Sequence, residues 1–491
     1  MELIQQELTY FTPTTGKFSG FTETTDAIIP DSYPDIDEVA FSCATINVKD
    51  ELPQADRVLV SGQIDAVVLY RSGDDPALHQ LNIPLSFAHI EEAPGVGPDA
   101  LFFMRCGVSQ VSVRIVNSRK ISVSCSAVLE SERCQPTTAR LTAEADDETG
   151  KLEQRRRMSV VPLASAVAVR RFVVLDDIEM EQGAAPAPLH TEVELRGTEC
   201  SVENGRVILN GSARLRIWDL RDEGTVSVRT HDIPFHQIID ADGLSDGAPT
   251  RVQLSCHSAI CHYSNEDILS VNLNTEALFW QEAQKELRWV DDLYHLEDTL
   301  QANFQPLTLA SCSHGGAFSG ECTETLSAAH PVSEVLSASA LCTSVLPAED
   351  NALKLILACS VLYLDDTRQL RQLDRQQTCA FRVDADIRDA QPVCIQLGTE
   401  PSVHDNQIAL GLRVSGQLVR CVPVSLPNLT DVQCTPAPDA QERPLKLIFV
   451  RDSQPLWQIA KENHATVQAI RQSNHLAENM EQVSNAVLLV P

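Results

Sequence analysis

Apolar and polar residues alternate with period two along several long runs of the chain. From Val58 to Tyr70 (VLVSGQIDAVVLY), Val58, Val60, Gly62, Ile64, Ala66, Val68 and Tyr70 share one face, and Ser61, Gln63 and Asp65 share the other. That period predicts a half-buried strand. From Val207 to Trp218, the inward set is Val207, Leu209, Gly211, Ala213, Leu215 and Ile217. From Leu353 to Tyr363 it is Leu353, Leu355, Leu357, Cys359, Val361 and Tyr363. The flanks recur too. Pro34, Pro188 and Pro331 precede Val39, Val193 and Leu336 by the same step. Downstream, Ile83-Pro84 with Phe87 and Ile233-Pro234 with Phe235 lead into an acidic loop and a hairpin. The hairpin turns fall at Asn117–Lys120, at Asn265–Asp267 and near His404–Asn406. The unit is therefore about 145–150 residues long, a domain rather than a solenoid repeat. Glycine inside a strand costs ~0.5–1 kcal/mol against alanine. Gly62 and Gly211 are therefore expected to make room for a crossing group, and Leu355 to sit in a rearranged core.

The pattern predicts a mainly β chain: three repeated, sandwich-like β domains over residues 1–165, 166–305 and 306–435, the third degenerate. A Pro-rich linker at 436–444 leads to a small domain at 445–491. Residues 133–160 are polar and read as a linker or solvated face, with Arg155, Arg156 and Arg157 beside acidic neighbours such as Asp146, Asp147 and Glu148. Residues 281–300 fit helix or strand equally. In the last segment LKLIFV reads as a strand and SQPLWQIAKENH as a helix. Ser453 is the expected cap, Pro455 sits in the first turn, and Leu456, Ile459 and Ala460 form one face. ATVQAIRQSNHL is a second helix with Val467 and Ile470 inward, and VLLVP a closing strand. A βααβ unit this small is typical of an interaction module.

Net charge changes the picture. With 38 Lys plus Arg against 68 Asp plus Glu, the chain carries −30. That disfavours nucleic acid and polybasic membrane attachment as partners. No run approaches ~18 apolar residues, so no membrane insertion is expected. The N-terminal residues lack a signal-peptide pattern, so a cytoplasmic location is expected. Fifteen cysteines without a CxxC pair predict reduced, mostly buried thiols and no structural zinc. In CHSAICHY, Cys256 and Cys261 lie an odd number apart and face opposite sides of a strand, so no metal site is expected there. The Asp31-Asp35-Asp37-Glu38 cluster reads as solvated loop charge, and His314-Gly315-Gly316 as a turn. No GxSxG, HExxH or GxxxxGK[ST] occurs. No enzyme activity and no cofactor are expected.

Two resemblances rest on these residues. Residues 445–491 resemble a LysM domain, through Leu456, Trp457, Ile459, Ala460, Asn474, Leu488, Val490 and Pro491. Ser453, Gln454 and Pro455 stand where that family has Gly, Asp and Ser/Thr. Ser484 and Asn485 stand for its later Pro-Gly. The upstream units resemble SPOCS domains, through PDIDEV (Pro34 to Val39), the Gly62 strand, Ile83-Pro84 and Asn117-Ser118-Arg119-Lys120-Ile121. Repeated SPOCS units followed by one LysM resemble the SipL family of spore morphogenetic proteins. The resemblance implies a non-enzymatic assembly adaptor whose partner is a morphogenetic ATPase on the mother-cell side of the forespore. The alternative it leaves open is a cell-wall protein binding peptidoglycan, an N-acetylglucosamine glycan. Either ligand would use a groove between Ser453, Gln454, Pro455 and Leu456 on one wall and Asn474, His475 and Leu476 on the other. Trp457 is expected in the module's core. Asn117, Ser118, Arg119 and Lys120 form either a partner-contact turn or a locally paired one.

Overall fold

A computed structural model describes residues 1–73, 75–179, 188–220, 225–265, 267–384, 386–404, 407–436 and 445–491. Three sets of six strands follow one another. The first holds β1 (Glu2–Ile28), β2 (Glu38–Gln54), β3 (Arg57–Ser72), β4 (Asp75–Glu92), β5 (Leu101–Asn117) and β6 (Lys120–Asp146). The second holds β7 (Leu152–Glu179), β8 (His190–Glu203), β9 (Arg206–Leu220), β10 (Val226–Asp240), β11 (Thr250–Asn265) and β12 (Ile268–His295). The third holds β13 (Thr299–Ser327), β14 (Val332–Ala348), β15 (Ala352–Asp365), β16 (Leu370–Arg382), β17 (Ala390–His404) and β18 (Gln407–Thr435). The chain ends with β19 (Lys446–Val450), β20 (Gln454–Pro455), α1 (Leu456–Asn463), α2 (Val467–Ser473), β21 (Gln482–Val483) and β22 (Ala486–Val490).

Each set makes the same two antiparallel sheets. Strands two to four form a meander, and strands one, six and five form the facing layer with strand six in the middle; a single pair, Phe11–Ala164, joins the facing layers of the first two sets into one six-stranded sheet. Alternation puts one face of each strand into the space between the sheets. Val58, Val60, Ile64, Val68 and Tyr70 of the first set are fully buried there, as are Val207, Leu209, Ala213, Leu215 and Ile217 of the second and Leu355, Leu357 and Val361 of the third.

Gly62 pairs with Phe87 across β3 and β4, and Gly211 with Phe235 across β9 and β10. A Cβ on Gly62 would lie 2.1 Å from the Asn47 carbonyl and 2.9 Å from the Phe87 ring. On Gly211 it would lie 2.3 Å from the Phe235 ring. The ring folded over each glycine then meets an aromatic of the facing sheet: Phe21 at 5.0 Å and Phe172 at 5.8 Å. The two proline steps lie on equivalent strands but are offset: Pro84 pairs with Asp65, and Pro234 with Ser212. In the third set Leu355 pairs with Cys379, and a disulfide from Cys379 to Cys322 of β13 stands at that position, while the aromatic contact persists beside it: Phe381 lies over Gly320 and meets Phe318 at 6.2 Å. This corrects the expectation of uniformly reduced thiols; twelve further cysteines among the described residues are free.

The first and last strands of each set run on past the sandwich as a two-stranded stem. Glu2–Thr14 pair with Arg133–Asp146, and equivalent stems join β7 to β12 and β13 to β18. Residues 133–160 are thus mainly strand rather than linker, and 281–295 belong to β12. The stretch reads as polar because only one stem face is covered. Arg155 and Arg157 bind Asp291, and Arg156 binds Glu144. The boundaries expected at 165/166 and 305/306 fall inside β7 and β13; the chain passes between sets at 147–151 and 296–298. His314-Gly315-Gly316 is a register break within β13, not a free turn. Apolar positions from all three stems (Leu8, Tyr10, Leu141, Leu163, Leu287, Trp289, Leu309, Leu426) share one core. A second shared core takes Phe41 and Leu69, Leu189 and Trp218, and Leu362 and Leu370 from the three meanders.

Gly62→Ala is expected to destabilise the first sandwich by about 1–3 kcal/mol through overpacking, read as a lower urea midpoint. Gly20→Ala, whose Cβ would meet only the Ala127 carbonyl at 3.4 Å, should be near neutral. The Cys322–Cys379 link closes a separation of 57 residues. By loop entropy its removal as Cys322→Ser costs about 4 kcal/mol under oxidising conditions and far less in excess reductant. Equal melting of wild type and variant without reductant would contradict this.

Candidate functional site: a clamp at one end and a docked module at the other

Two of the sequence-selected motifs meet at the far end of the first sandwich. The Asn117 Oδ1 accepts the Arg119 N–H at 2.9 Å, which sets the turn. Arg119 then turns back onto the loop before β2. Its guanidinium donates to the carbonyls of Tyr33 (2.7 Å), Pro30 (2.8 Å) and Ile29 (3.1 Å), and pairs with Asp31 and Asp35. Backbone bonds from Ile29 to Arg119 and from Ile36 to Ser118 close the clamp. Hydrogen bonds from Ser118 and then Arg119 hold the Asp35 carboxyl below its ordinary value. Lys120 pairs with Asp26 at 2.8 Å. All four turn residues lie together, and both terminal guanidinium nitrogens of Arg119 are spent within the chain. The acidic cluster is likewise used: Asp31 and Asp35 hold Arg119, and Glu38 holds Arg71 and Arg371 of the third set.

The three meanders join through polar contacts. The Gln372 amide both accepts from the Ser42 N–H and donates to its carbonyl, at 2.8 and 2.9 Å. Thr45 meets His190 at 3.1 Å, and Arg216 donates to the Ala338 carbonyl at 2.9 Å. Between them lies a cavity of about 360 Å³ lined in part by His190, Glu192, Arg214, Arg216, Ser339 and Thr399. Burial pushes the His190 imidazole down to about 4 and the Glu192 carboxyl up.

At the stem base sits the C-terminal module. β19 and β22 pair antiparallel, and Leu456, Ile459, Ala460, Ile470, Leu488 and Val490 form its core. Thr466 caps α2 through its Oγ1, accepting from the Ala469 N–H. Pro455, not Ser453, precedes α1, and no side chain caps that helix. The Ser453 Oγ instead donates to Gln482 at 2.9 Å. Gln454 pairs with Val483 and Pro455 with Gln482, and the Leu456 N–H donates to the Glu481 carbonyl. The first expected wall is therefore tied to residues 481–483. Leu456 is 1% exposed and belongs to the core, not to an accessible groove. Asn474 brackets the end of α2 to β22: its Nδ2 donates to the Ile470 and Leu489 carbonyls, and its Oδ1 accepts the Leu489 N–H. Leu476 packs against the core, while His475 is exposed in a left-handed turn.

Trp457 faces the second stem. Its Nε1 donates to Asp292 at 2.8 Å, its ring meets Tyr294 edge-on at 5.0 Å, and Arg155 lies over it. Lys461 also donates to Asp292, the Tyr294 hydroxyl donates to the Ala465 carbonyl at 2.7 Å, and His464 meets the His295 carbonyl. Burial would raise the Asp292 carboxyl, but the Lys461 and Trp457 hydrogen bonds outweigh it and hold the group low.

With α1 docked, the outer face of the β19–β22 sheet stays open. Leu445, Leu447, Phe449 and Val487 are 68, 65, 73 and 51% exposed. Leu447 lies opposite Leu489, and Phe449 opposite Val487. Four cations (Lys446, Arg451, Lys461, Arg471) balance four anions (Asp452, Glu462, Glu478, Glu481), so this module is neutral in a chain of −30. Sequence reasoning missed this face. The signal was present: LKLIFV is apolar on both strand faces, so each face calls for a partner.

Residues 35–116 match the family described as SipL, SPOCS domain, which points to a sporulation-related protein. The match runs from the clamped loop to the end of β5. No curated protein and no solved structure shows a significant match to the chain. No described helix is long and apolar enough to cross a membrane.

Asp292→Ala is expected to loosen the dock by about 2 kcal/mol, seen as faster hydrogen exchange over α1 with β22 still protected. Because the folded Asp292 carboxyl is depressed, its contribution is complete above the unfolded value of about 3.9 and is lost as pH falls through the folded value. Unchanged α1 exchange in the variant at neutral pH would refute the dock.

Proposed function

We propose that this protein is a non-enzymatic adaptor in assembly of the spore envelope. In this reading the three six-strand sets are SPOCS-like units forming a stiff body. The C-terminal module is a LysM-type domain that docks a morphogenetic partner protein, an ATPase of the kind the SipL resemblance implies. The setting is the mother-cell cytoplasm at the forespore surface. The observation that carries the reading is the open apolar face of Leu445, Leu447, Phe449 and Val487 on the neutral module. Exposed contiguous apolar surface of this kind serves recognition. The family match at residues 35–116 supports the sporulation setting.

The docking surface proposed is therefore the outer sheet face rather than the groove expected between Ser453–Leu456 and Asn474–Leu476. The glycan alternative needs that groove, and the pairing of residues 454–455 with 482–483 speaks against it. Leu456→Glu would unfold the module and cannot report on binding.

A fluorescent fusion should gather on the forespore during sporulation, and the double variant Leu447→Glu/Phe449→Glu should stay diffuse while retaining its circular dichroism. A wild-type fusion that stays diffuse, or a double variant recruited like wild type, would sink the adaptor reading. Saturable retention of wild type on purified peptidoglycan, undiminished in the double variant, would move the function to the wall glycan.

A further inference from the structure

The β11 strand bulges at His257. Cys256 pairs with Thr275 and Ser258 with Asn274, leaving His257 without a partner in the ladder. The bulge turns the imidazole toward the first set of strands, where Glu51 of β2 approaches. The His257 Nδ1 lies 3.5 Å from the Glu51 Oε1, and its Nε2 lies 3.3 Å from the Glu276 Oε2 of β12. All three side chains are more than nine-tenths buried: 7% exposed for His257, 7% for Glu51 and 4% for Glu276. Yet neither ring nitrogen makes a hydrogen bond, and neither do the two facing carboxylate oxygens. Both contacts lie within ion-pair range of a protonated imidazole, but neither has hydrogen-bond geometry. Three electron-pair donors lie within 4.8 Å of one another.

The opposite carboxylate oxygens are accounted for. Arg171 of β7 donates from Nε to the Glu276 Oε1 and from Nη2 to the Glu51 Oε2, both at 3.0 Å. That fixes both carboxylates with their free oxygens turned toward the histidine. It also offsets one of the two negative charges, as outer-shell partners of metal ligands do.

The fold itself does not demand these residues. The first set has the same bulge, at Ser109 between the Val108–Ala127 and Gln110–Ser126 pairs. Its counterpart of Glu276 is Val128. A bulge with Ser and Val there serves the sandwich equally well, so His257 and Glu276 are additions to the architecture. The other His-acidic group, His295 with Asp298 and Cys434, differs. There the His295 Nδ1 already accepts the Asp298 N–H at 2.9 Å.

We propose that Glu51, His257 and Glu276 bind one divalent cation of the zinc class between the first and second sets of strands. One imidazole and two carboxylates suit that class; the 3.3 Å between the His257 Nε2 and the Glu276 Oε2 is that of two ligands about 2.0–2.1 Å from a tetrahedral ion, and the Glu51 donor completes the set within 4.8 Å. Arg171 is half exposed and marks the way in from solvent. The cation would staple β2 to β11 and β12, and so fix two sets of strands against each other.

The test uses the full chain, stripped by chelator and titrated with Co²⁺, then with Zn²⁺ in competition. The expected result is one equivalent with weak visible bands and no sulfur-to-cobalt charge transfer, displaced by Zn²⁺. His257→Gln and Glu276→Gln should each weaken binding at least ~10-fold. Cys434→Ser, which alters the other group, should bind like wild type. Folding of each variant is checked by circular dichroism, and one folded variant of the two suffices. Folded wild type that takes up no cobalt, or uptake left unchanged by His257→Gln or Glu276→Gln, would overturn the proposal.

Discussion

A two-stranded ladder of more than twenty residue pairs cannot bury its apolar face on itself. β1 and β6 stay paired from Ile28 and Lys120 to Glu2 and Asp146, but the meander of the set covers only the half near the turn. The other half carries Leu8, Tyr10, Ala139 and Leu141 on one face. Burying such side chains is worth about 1.5–3 kcal/mol each for the large aliphatic ones. That gain is reached only when the other two stems close over them with Leu163, Leu287, Trp289, Leu309 and Leu426. One set can complete a sandwich, but no set can complete its stem. The three sets are therefore parts of one body, and the short connections at 147–151 and 296–298 agree with that closure.

The sandwiches were legible because both of their sheets impose period two. Val58–Tyr70 and Val207–Trp218 show it directly, and the glycines in them marked where a ring would cross. Leu355 pointed to a different solution in the third set, though nothing nearby in sequence named Cys322 as its third member. The stems were not legible. In Leu152–Val161 three successive arginines interrupt a strand whose covered face appears only when Leu287 and Trp289, more than a hundred residues later, are placed against it. Period-two reading needs alternation within a window, and a stem spreads its few buried positions too thinly.

The clamp and the dock teach the same lesson at the level of single side chains. Asn117 to Lys120 could be read as a turn from residue type alone. That Arg119 spends its donors on Tyr33, Pro30 and Ile29 depends on a loop some eighty to ninety residues upstream. Trp457, expected in the module's core, packs half-buried against that core and also meets Tyr294 and Asp292 of the second stem, which nothing near it in sequence names. Leu456 shows the reverse. The periodicity put it on one helix face with Ile459 and Ala460, the resemblance put it on a groove wall, and the structure buries it on the helix face.

Charge and docking together decide where a partner can approach. The full excess of thirty negative charges lies upstream of residue 445. Surface charges act over roughly 8 Å at physiological ionic strength, so an acidic body discourages close contact with other acidic surfaces. The neutral module lacks that barrier. Its α1 face is committed to the second stem through Trp457, Lys461 and His464, and the inner face of its sheet is committed to its own core. Among the described residues the Leu447–Phe449–Val487 face stays exposed with the module docked. A rigid, preplaced apolar surface loses little freedom on binding, so more of its burial appears as affinity. The interactions that fix the module on the stem thus also hold its open face in one place.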